Sequence, residues 1–182
     1  MYRAVTKYFL DNNIKDDASD LKILEALDDI KINFIDNDIY INGKNVEGDI
    51  RSDLITKNVS WVSANGLVRQ RLVEMQREIA NEKSFVLDGR DIGTVVFPDA
   101  KYKFYLTANA HQRALRRFFQ NESGLSIDEL EKTIIQRDLY DSTRAISPLK
   151  KADDAIEIDN SNQTIEETVK TILDSMEKDD VL

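Results

Sequence analysis

The sequence predicts an α/β fold in which helices flank a parallel sheet. From residue 85 onward, three short apolar runs, at residues 85–87, 102–106 and 155–159, alternate with segments of helical periodicity. Strands that alternate with helices in this order pair in parallel through right-handed crossovers. Between residues 32 and 46 the apolar period changes to two, which predicts a small β-hairpin inserted between helices.

Composition limits the functional classes. The chain has 182 residues, 41% of them hydrophobic and 32% charged, which is typical of one globular domain. We find no signal peptide and no apolar run near the ~20 residues that cross a bilayer, so we expect a cytoplasmic protein. The sequence has no cysteine and one histidine, His111, which excludes thiolate and histidine metal cages. A net charge of -9 argues against nucleic acid and anionic membranes as partners.

The first third of the chain predicts two helices and then the hairpin. Apolar side chains recur on one face over residues 2–12, and Ser19 is a suitable N-cap for a second helix. Turn-forming residues at 36–38 and at 42–43 divide the alternating segment that follows. We expect this hairpin to shape one wall of a cleft.

A long helical region is predicted over residues 53–81, with two helices meeting at Gly66. Ser60 and Arg69 lie near this break and off the apolar stripe. Periodicity alone leaves two interpretations open, an exposed helix surface or part of a binding site.

The stretch after the first predicted strand carries two carboxylates around a guanidinium: Asp88, Arg90 and Asp91. In open α/β sheets, ligands bind beyond the carboxyl ends of the strands. A guanidinium between two carboxylates is suited to bind a phosphate together with its metal ion, or the base and phosphate of a nucleotide. A solvated Asp-Gly turn is the alternative.

Arginines cluster on the next predicted helix, which runs to about Gln120 with Thr107 as a candidate cap. Arg113, Arg116 and Arg117 are spaced so that all three project from one side. Such a cluster, without acidic partners at helical spacing, is tolerable beside a polyphosphate. A solvated basic face explains it equally well.

After a predicted loop at residues 121–125, Ser126 and Glu129 form a capping box for another helix. Its stripe begins with aliphatic residues and continues with charged ones at the same spacing: Ile127, Leu130, Ile134, Arg137, Asp141 and Arg144. This pattern predicts a helix that runs from the core into a polar cleft, although surface ion pairs remain an alternative.

The last strand, at residues 155–159, alternates in a way that is typical of a sheet edge. Thr164 and Glu167 predict a capped final helix. Its apolar stripe is expected to form an inner face with these members: Ile165, Val169, Ile172, Leu173 and Met176.

Three segments together resemble bacterial cytidylate kinases. They are Met-Tyr-Arg-Ala-Val-Thr at 1–6, Asp-Gly-Arg-Asp-Ile-Gly-Thr-Val-Val-Phe-Pro-Asp-Ala at 88–100, and Arg-Asp-Leu-Tyr-Asp-Ser-Thr-Arg-Ala-Ile-Ser-Pro-Leu at 137–149. The resemblance covers essentially the whole chain. It implies one P-loop-type nucleoside monophosphate kinase domain over 1–182, with a nucleotide-binding insertion at 31–81 and a lid at 110–144. The complete enzyme is expected to be a monomer.

The same resemblance implies transfer of the ATP γ-phosphoryl group to CMP or dCMP with Mg²⁺, and a role for each matching residue. The implied catalytic residues are Arg90, Arg137 and Asp88, the last beside the magnesium ion. The implied substrate-binding residues are Arg3 and Arg144 near phosphate, Asp141 on the sugar, and Ser60, Arg69 and Asp91 on the cytosine. The implied ATP lid contains Arg113, Arg116 and Arg117.

One family feature has no match in these 182 residues. The family's Gly-rich loop ends in Gly-Lys-Ser/Thr, whereas the pair Gly43-Lys44 lies in the predicted hairpin and precedes Asn45. We therefore expect a chain that lacks the amino-terminal strands and P-loop and is inactive without them. Two alternatives stand beside this: a non-catalytic remnant that binds CMP or a protein partner, and an unrelated phosphate-binding α/β protein.

Overall fold

The computed structural model describes residues 1–36, 38–80, 84–120 and 124–180. The chain divides into two compact units, Met1–Phe85 and Val86–Leu182. Part of the predicted loop at 121–125 lies outside the described residues, as do Asn37 of the first hairpin turn and Asn81 at the end of the long helical region.

The first unit contains four helices and a three-stranded antiparallel sheet. The helices are α1 (Tyr2–Asp11), α2 (Asp20–Asp29), α3 (Asp53–Ala64) and α4 (Gly66–Ala80). The strands are β1 (Ile32–Ile35), β2 (Asp38–Ile41) and β3 (Lys44–Asn45), in the spatial order β1-β2-β3. The predicted helices and hairpin are therefore confirmed in this unit.

Side-chain caps mark the start of two of these helices, α2 and α4. The Ser19 hydroxyl accepts a hydrogen bond from the Lys22 N–H and caps α2, as predicted. At the break between α3 and α4, the Asn65 carboxamide oxygen accepts from the N–H groups of Leu67 and Val68, at 3.0 and 3.1 Å. This cap explains why the long helical region divides before Gly66.

The second unit contains a parallel pair of strands and three helices. The strands are β4 (Phe104–Thr107) and β5 (Ile156–Asp159), with Phe104 opposite Ile156. The helices are α5 (Ala110–Phe119), α6 (Ile127–Thr143) and α7 (Ile165–Asp180). A single π-helical turn covers Ile92–Val96. The predicted α/β class with a parallel sheet is thus confirmed.

One of the three predicted parallel strands is wrong. Residues 85–87 form no strand, and the Val86 side chain is 100% exposed. A β-strand needs a neighbour that pairs with its backbone N–H and C=O groups. Among the described residues, β4 and β5 are the only strands paired in parallel, and neither pairs with residues 85–87. The apolar character of this segment is therefore not sufficient to make it a strand.

Two further predictions in this unit need correction. Thr107 belongs to β4 and does not cap α5; the cap is Asn109, whose side chain accepts from the Gln112 N–H. The capping box of α7 is confirmed, because the Thr164 hydroxyl accepts from the Glu167 N–H. Its stripe, however, is not an inner face in the described part of the chain, since Ile165 is 79% exposed and Val169 and Leu173 are also exposed.

Candidate functional site

A buried carboxylate surrounded by arginines is the most distinctive feature of the second unit. The Asp141 side chain is 5% exposed and lies 3.1 Å from Arg90 Nε. Arg144 Nη1 lies 3.5 Å away and Arg137 Nε 3.8 Å away. The structure therefore brings together four of the predicted site residues, which we call the Asp141 cluster: Arg90, Arg137, Asp141 and Arg144.

Helix α6 carries two members of this cluster, Arg137 and Asp141, and Arg144 is its C-cap residue. Its capping box is formed as predicted, and the hydrogen bond from the Ser126 hydroxyl lowers the pKa of Glu129. Leu130 and Ile134 are buried beside Ala114 of α5. The same face continues to Asp141, which is also buried. The alternative of surface ion pairs is thus wrong for Asp141 and Arg144, whose side chains are both 5% exposed.

The chain folds back onto α6 directly after the helix. The Leu149 N–H donates to the Asp141 carbonyl at 2.7 Å, which satisfies a carbonyl in the last turn. Arg144 Nε donates to the Ser147 carbonyl at 2.8 Å. Residues 145–149 therefore contact both the backbone of Asp141 and the side chain of Arg144.

Asp91 immediately precedes the π-helical turn and is itself buried. Its carbonyl accepts from the N–H groups of Thr94, Val95 and Val96, at 2.9–3.3 Å. Single π turns are rare and often occur at functional sites. No feature of the sequence predicted this turn. Asp88, three residues earlier, is exposed.

Arg113 and Arg116, both in the predicted lid, bond to protein groups on neighbouring elements. Both Nη atoms of Arg113 bond Asp138 of α6, at 3.0 and 2.5 Å. Arg116 donates to Asn160, to its side chain at 3.2 Å and to its carbonyl at 2.5 Å. The acidic partner of Arg113 lies outside helical spacing, on a different helix. Contact of Arg113, Arg116 and Arg117 with ATP stays a prediction.

A series of hydrogen bonds links the end of β5 to the start of α5. Asp159 accepts from the Ser161 hydroxyl and from its N–H, at 2.6 and 2.8 Å, and the Ser161 hydroxyl accepts from the Asn109 N–H at 2.9 Å. The two bonds from Ser161, first that of its hydroxyl and then that of its N–H, lower the pKa of the Asp159 carboxyl.

Folding lowers the pKa of the Asp159 carboxyl, so the charged carboxylate stabilises the folded state. This stabilisation is complete above the unfolded pKa of about 3.9 and is lost as pH falls through the folded pKa. We expect Asp159→Asn to lower the urea midpoint at pH 7, and the difference from the wild-type protein to vanish in acid. Asp153→Asn, at an exposed carboxylate, is the control. A difference between wild type and Asp159→Asn that is constant from neutral to acid pH contradicts the expectation.

The predicted site residues of the first unit lie on three helices, α1, α3 and α4. Arg69 is buried on α4, donates from Nη1 to the Ser63 carbonyl at 2.8 Å, and lies over the Tyr2 ring at 5.2 Å. Arg3 donates from Nη1 to the Ile50 carbonyl and to the Thr56 hydroxyl, at 2.9 and 3.0 Å. Ser60 lies half-buried on α3.

Neither a metal cage nor a membrane span occurs in the part of the chain that the structure describes. No three histidine or carboxylate side chains there are grouped to hold an ion. None of the described helices has the length and apolar character to cross a membrane.

Mg²⁺ in phosphoryl-transfer sites is commonly held by one or two carboxylates, water and substrate phosphates, and an exposed Asp88 fits that donor set.

Guanidiniums outnumber carboxylates around Asp141, in a unit that also contains a parallel pair of strands, and this combination is typical of α/β proteins that bind phosphate. The model of the family "Cytidylate kinase" matches residues 1–178. A cytidylate kinase of Fusobacterium nucleatum is 47% identical over 182 residues, covering 98% of this chain and 83% of the relative. Similar proteins from Lactobacillus johnsonii and Clostridium botulinum are 47% and 48% identical over 98% of this chain, and the matches cover 80% and 83% of those relatives.

The chain belongs to the cytidylate kinase family, whose members are phosphotransferases with the P-loop nucleoside monophosphate kinase fold. The family resemblance of the three motifs is confirmed. The sequence gives no sign of two further groups around the site, namely the Ser147 carbonyl and the Asp138 carboxylate. The first is a backbone group, and the second is 25 positions from its partner Arg113.

Proposed function

We propose that this chain binds CMP or dCMP and supplies the charged residues for transfer of the ATP γ-phosphoryl group to it. The observation that carries this proposal is the Asp141 cluster, in which one buried carboxylate meets three guanidiniums. A protein with a net charge of -9 needs such a local excess of positive charge to hold a phosphate.

Within the cluster, the groups have different chemical uses. Arg90 is 43% exposed, so its guanidinium can reach a ligand while Nε remains on Asp141. Together with Arg137, it neutralises phosphate charge that is redistributed during transfer. Asp141 accepts hydrogen bonds from the sugar hydroxyls, and Arg144 binds near the sugar and phosphate.

In the first unit, Ser60 and Arg69 are proposed to contact the cytosine, and Arg3 a phosphate. Arg69 suits recognition of a base edge, because a guanidinium offers donors in a fixed plane and two contacts already orient it. Asp91 of the second unit is the proposed acceptor for the cytosine amino group.

ATP is proposed to lie against the arginines of α5, with Asp88 holding Mg²⁺ through water. The ion would neutralise charge on the transferred phosphoryl group. The 182 residues contain no Gly-rich loop with the Gly-Lys-Ser/Thr ending. We therefore propose that these residues bind CMP by themselves, whereas turnover needs a P-loop in addition to them.

Titration calorimetry with CMP, dCMP, UMP and AMP tests the binding proposal. We expect CMP or dCMP to bind about tenfold or more tightly than UMP and AMP, since a site that hydrogen-bonds the cytosine edge rejects other bases. Equal affinity for all four nucleotides would indicate a general phosphate site. A coupled assay with ATP and Mg²⁺ tests separately whether turnover needs a P-loop. CDP formation by the 182 residues alone contradicts that need.

A further inference from the structure

We infer that Ser147 is a positioning residue: its left-handed backbone places the carbonyl that orients the Arg144 guanidinium on Asp141. The functional consequence rests on the proposed function, because it concerns how the Asp141 cluster binds CMP. The backbone geometry and hydrogen bonds of residues 141–149 support the positioning role independently of that function.

The backbone of Ser147 is unusual for two reasons. Its φ angle is +48°, in the left-handed region that residues other than glycine seldom adopt. Pro148 follows it, and a residue before proline is restricted to extended conformations by the proline ring. Such a conformation persists only where surrounding contacts hold it, and these positions concentrate at functional sites.

Two hydrogen bonds hold the segment in place, and both end on the cluster. The Ser147 carbonyl accepts from Arg144 Nε at 2.8 Å, and the Leu149 N–H donates to the Asp141 carbonyl at 2.7 Å. These bonds lie on either side of Pro148. The segment therefore joins the two most buried charged residues of the cluster, Asp141 and Arg144.

The bond to Nε determines which way the guanidinium faces. The group is planar, so fixing the Nε–H direction also fixes the directions of the two Nη atoms. With Nε on the Ser147 carbonyl, Nη1 lies 3.5 Å from Asp141 Oδ1. If a substitution at Ser147 displaces this carbonyl, the Arg144 guanidinium loses the hydrogen bond that fixes its orientation.

In this inference, the residue at position 147 affects the cluster only through the backbone conformation that it permits. A series of substitutions with different tolerance for positive φ therefore tests it. Glycine adopts positive φ at no steric cost, and asparagine does so more readily than most residues. A β-branched side chain disfavours it strongly. We expect Ser147→Gly and Ser147→Asn to keep the carbonyl in place, and Ser147→Val to displace it, with Ser147→Thr as a milder β-branched change.

Calorimetry with CMP should show a loss of about tenfold for Ser147→Val, a smaller loss for Ser147→Thr, and affinities within about threefold of wild type for glycine and asparagine. Asn13→Val is the matched control, because Asn13 also has a positive φ, +53°, but lies after α1 in the other unit. It also places a β-branched residue at a positive φ, and it should leave CMP affinity unchanged. Equal losses for Ser147→Gly and Ser147→Val overturn the inference.

A second readout does not depend on nucleotide. The Arg144 Nε–H should exchange slowly with solvent in NMR spectra of the wild type, Ser147→Gly and Ser147→Asn, and rapidly in Ser147→Val and Ser147→Thr. If the wild-type chain binds no CMP, the proposed function fails while this comparison still decides the positioning role. Slow exchange in all five proteins overturns it.

Discussion

Replacing Asp141 with alanine is expected to abolish CMP binding and to lower the free energy of unfolding by about 3 kcal/mol, as for other broken buried ion pairs. The carboxylate is 5% exposed, and so is its partner Arg144, so the variant leaves a buried guanidinium without its counter-charge. Arg90 is 43% exposed and can turn to water, which limits the cost. Urea unfolding gives the stability change, and calorimetry gives the affinity for CMP.

Asp138→Ala is the matched control for this experiment. Asp138 is on the same helix and also binds an arginine, Arg113, but both side chains are 35% exposed. We expect a destabilisation of about 1 kcal/mol or less, because exposed ion pairs contribute little, and CMP affinity within a few fold of wild type. If the two variants lose equal stability and equal affinity, burial of Asp141 is not what distinguishes the cluster.

Asp141→Asn separates charge from shape in the same cluster. The amide nearly preserves the volume of the carboxylate, but it cannot neutralise the surrounding guanidiniums. We expect CMP affinity to fall almost as far as in Asp141→Ala, with a smaller loss of stability.

Much of this cluster was predictable, because the period of α6 continues unbroken from Leu130 and Ile134 to Asp141. Helical spacing alone placed Arg137 and Asp141 on the face that begins in the core, whereas Arg144 is the extended C-cap of the helix and Arg90 comes from another segment. The order Ser126, Glu129 at the start of the helix also fixed where that face begins. What spacing could not supply was the partner of Arg113, since it lies on a different helix and its position depends on how α5 and α6 pack.

The errors arise where a local pattern depends on a distant partner. The apolar run at 85–87 has strand composition, but a strand exists only when another backbone pairs with it. The stripe of α7 is amphipathic, yet periodicity identifies an apolar face without showing what covers it. Thr107 and Asn109 are both acceptable caps, and β4 extends far enough to include the first of them. In each case the deciding contact is not adjacent in the sequence.

Arg69→Met is expected to weaken CMP binding by about 100-fold while changing the free energy of unfolding by only about 1 kcal/mol. Methionine replaces the apolar stem of arginine beside Tyr2, so packing is largely kept. Removing a buried charge relieves its desolvation, whereas the Ser63 carbonyl loses a hydrogen bond worth roughly 1 kcal/mol. The donors proposed to recognise the cytosine edge are removed altogether, and lost bidentate recognition accounts for the large effect on affinity.

The neighbouring Arg71 offers a close control, because it is on the same helix and its side chain is 37% exposed, 3.8 Å from Glu74. Arg71→Met removes the same charge from the same element, so any general electrostatic attraction of nucleotide falls equally in both variants. Only Arg69→Met should also lose discrimination between CMP and UMP, since the two bases differ at the edge that the guanidinium is proposed to read. A variant that binds both nucleotides 100-fold more weakly, with discrimination intact, would place Arg69 on the phosphate instead of on the base.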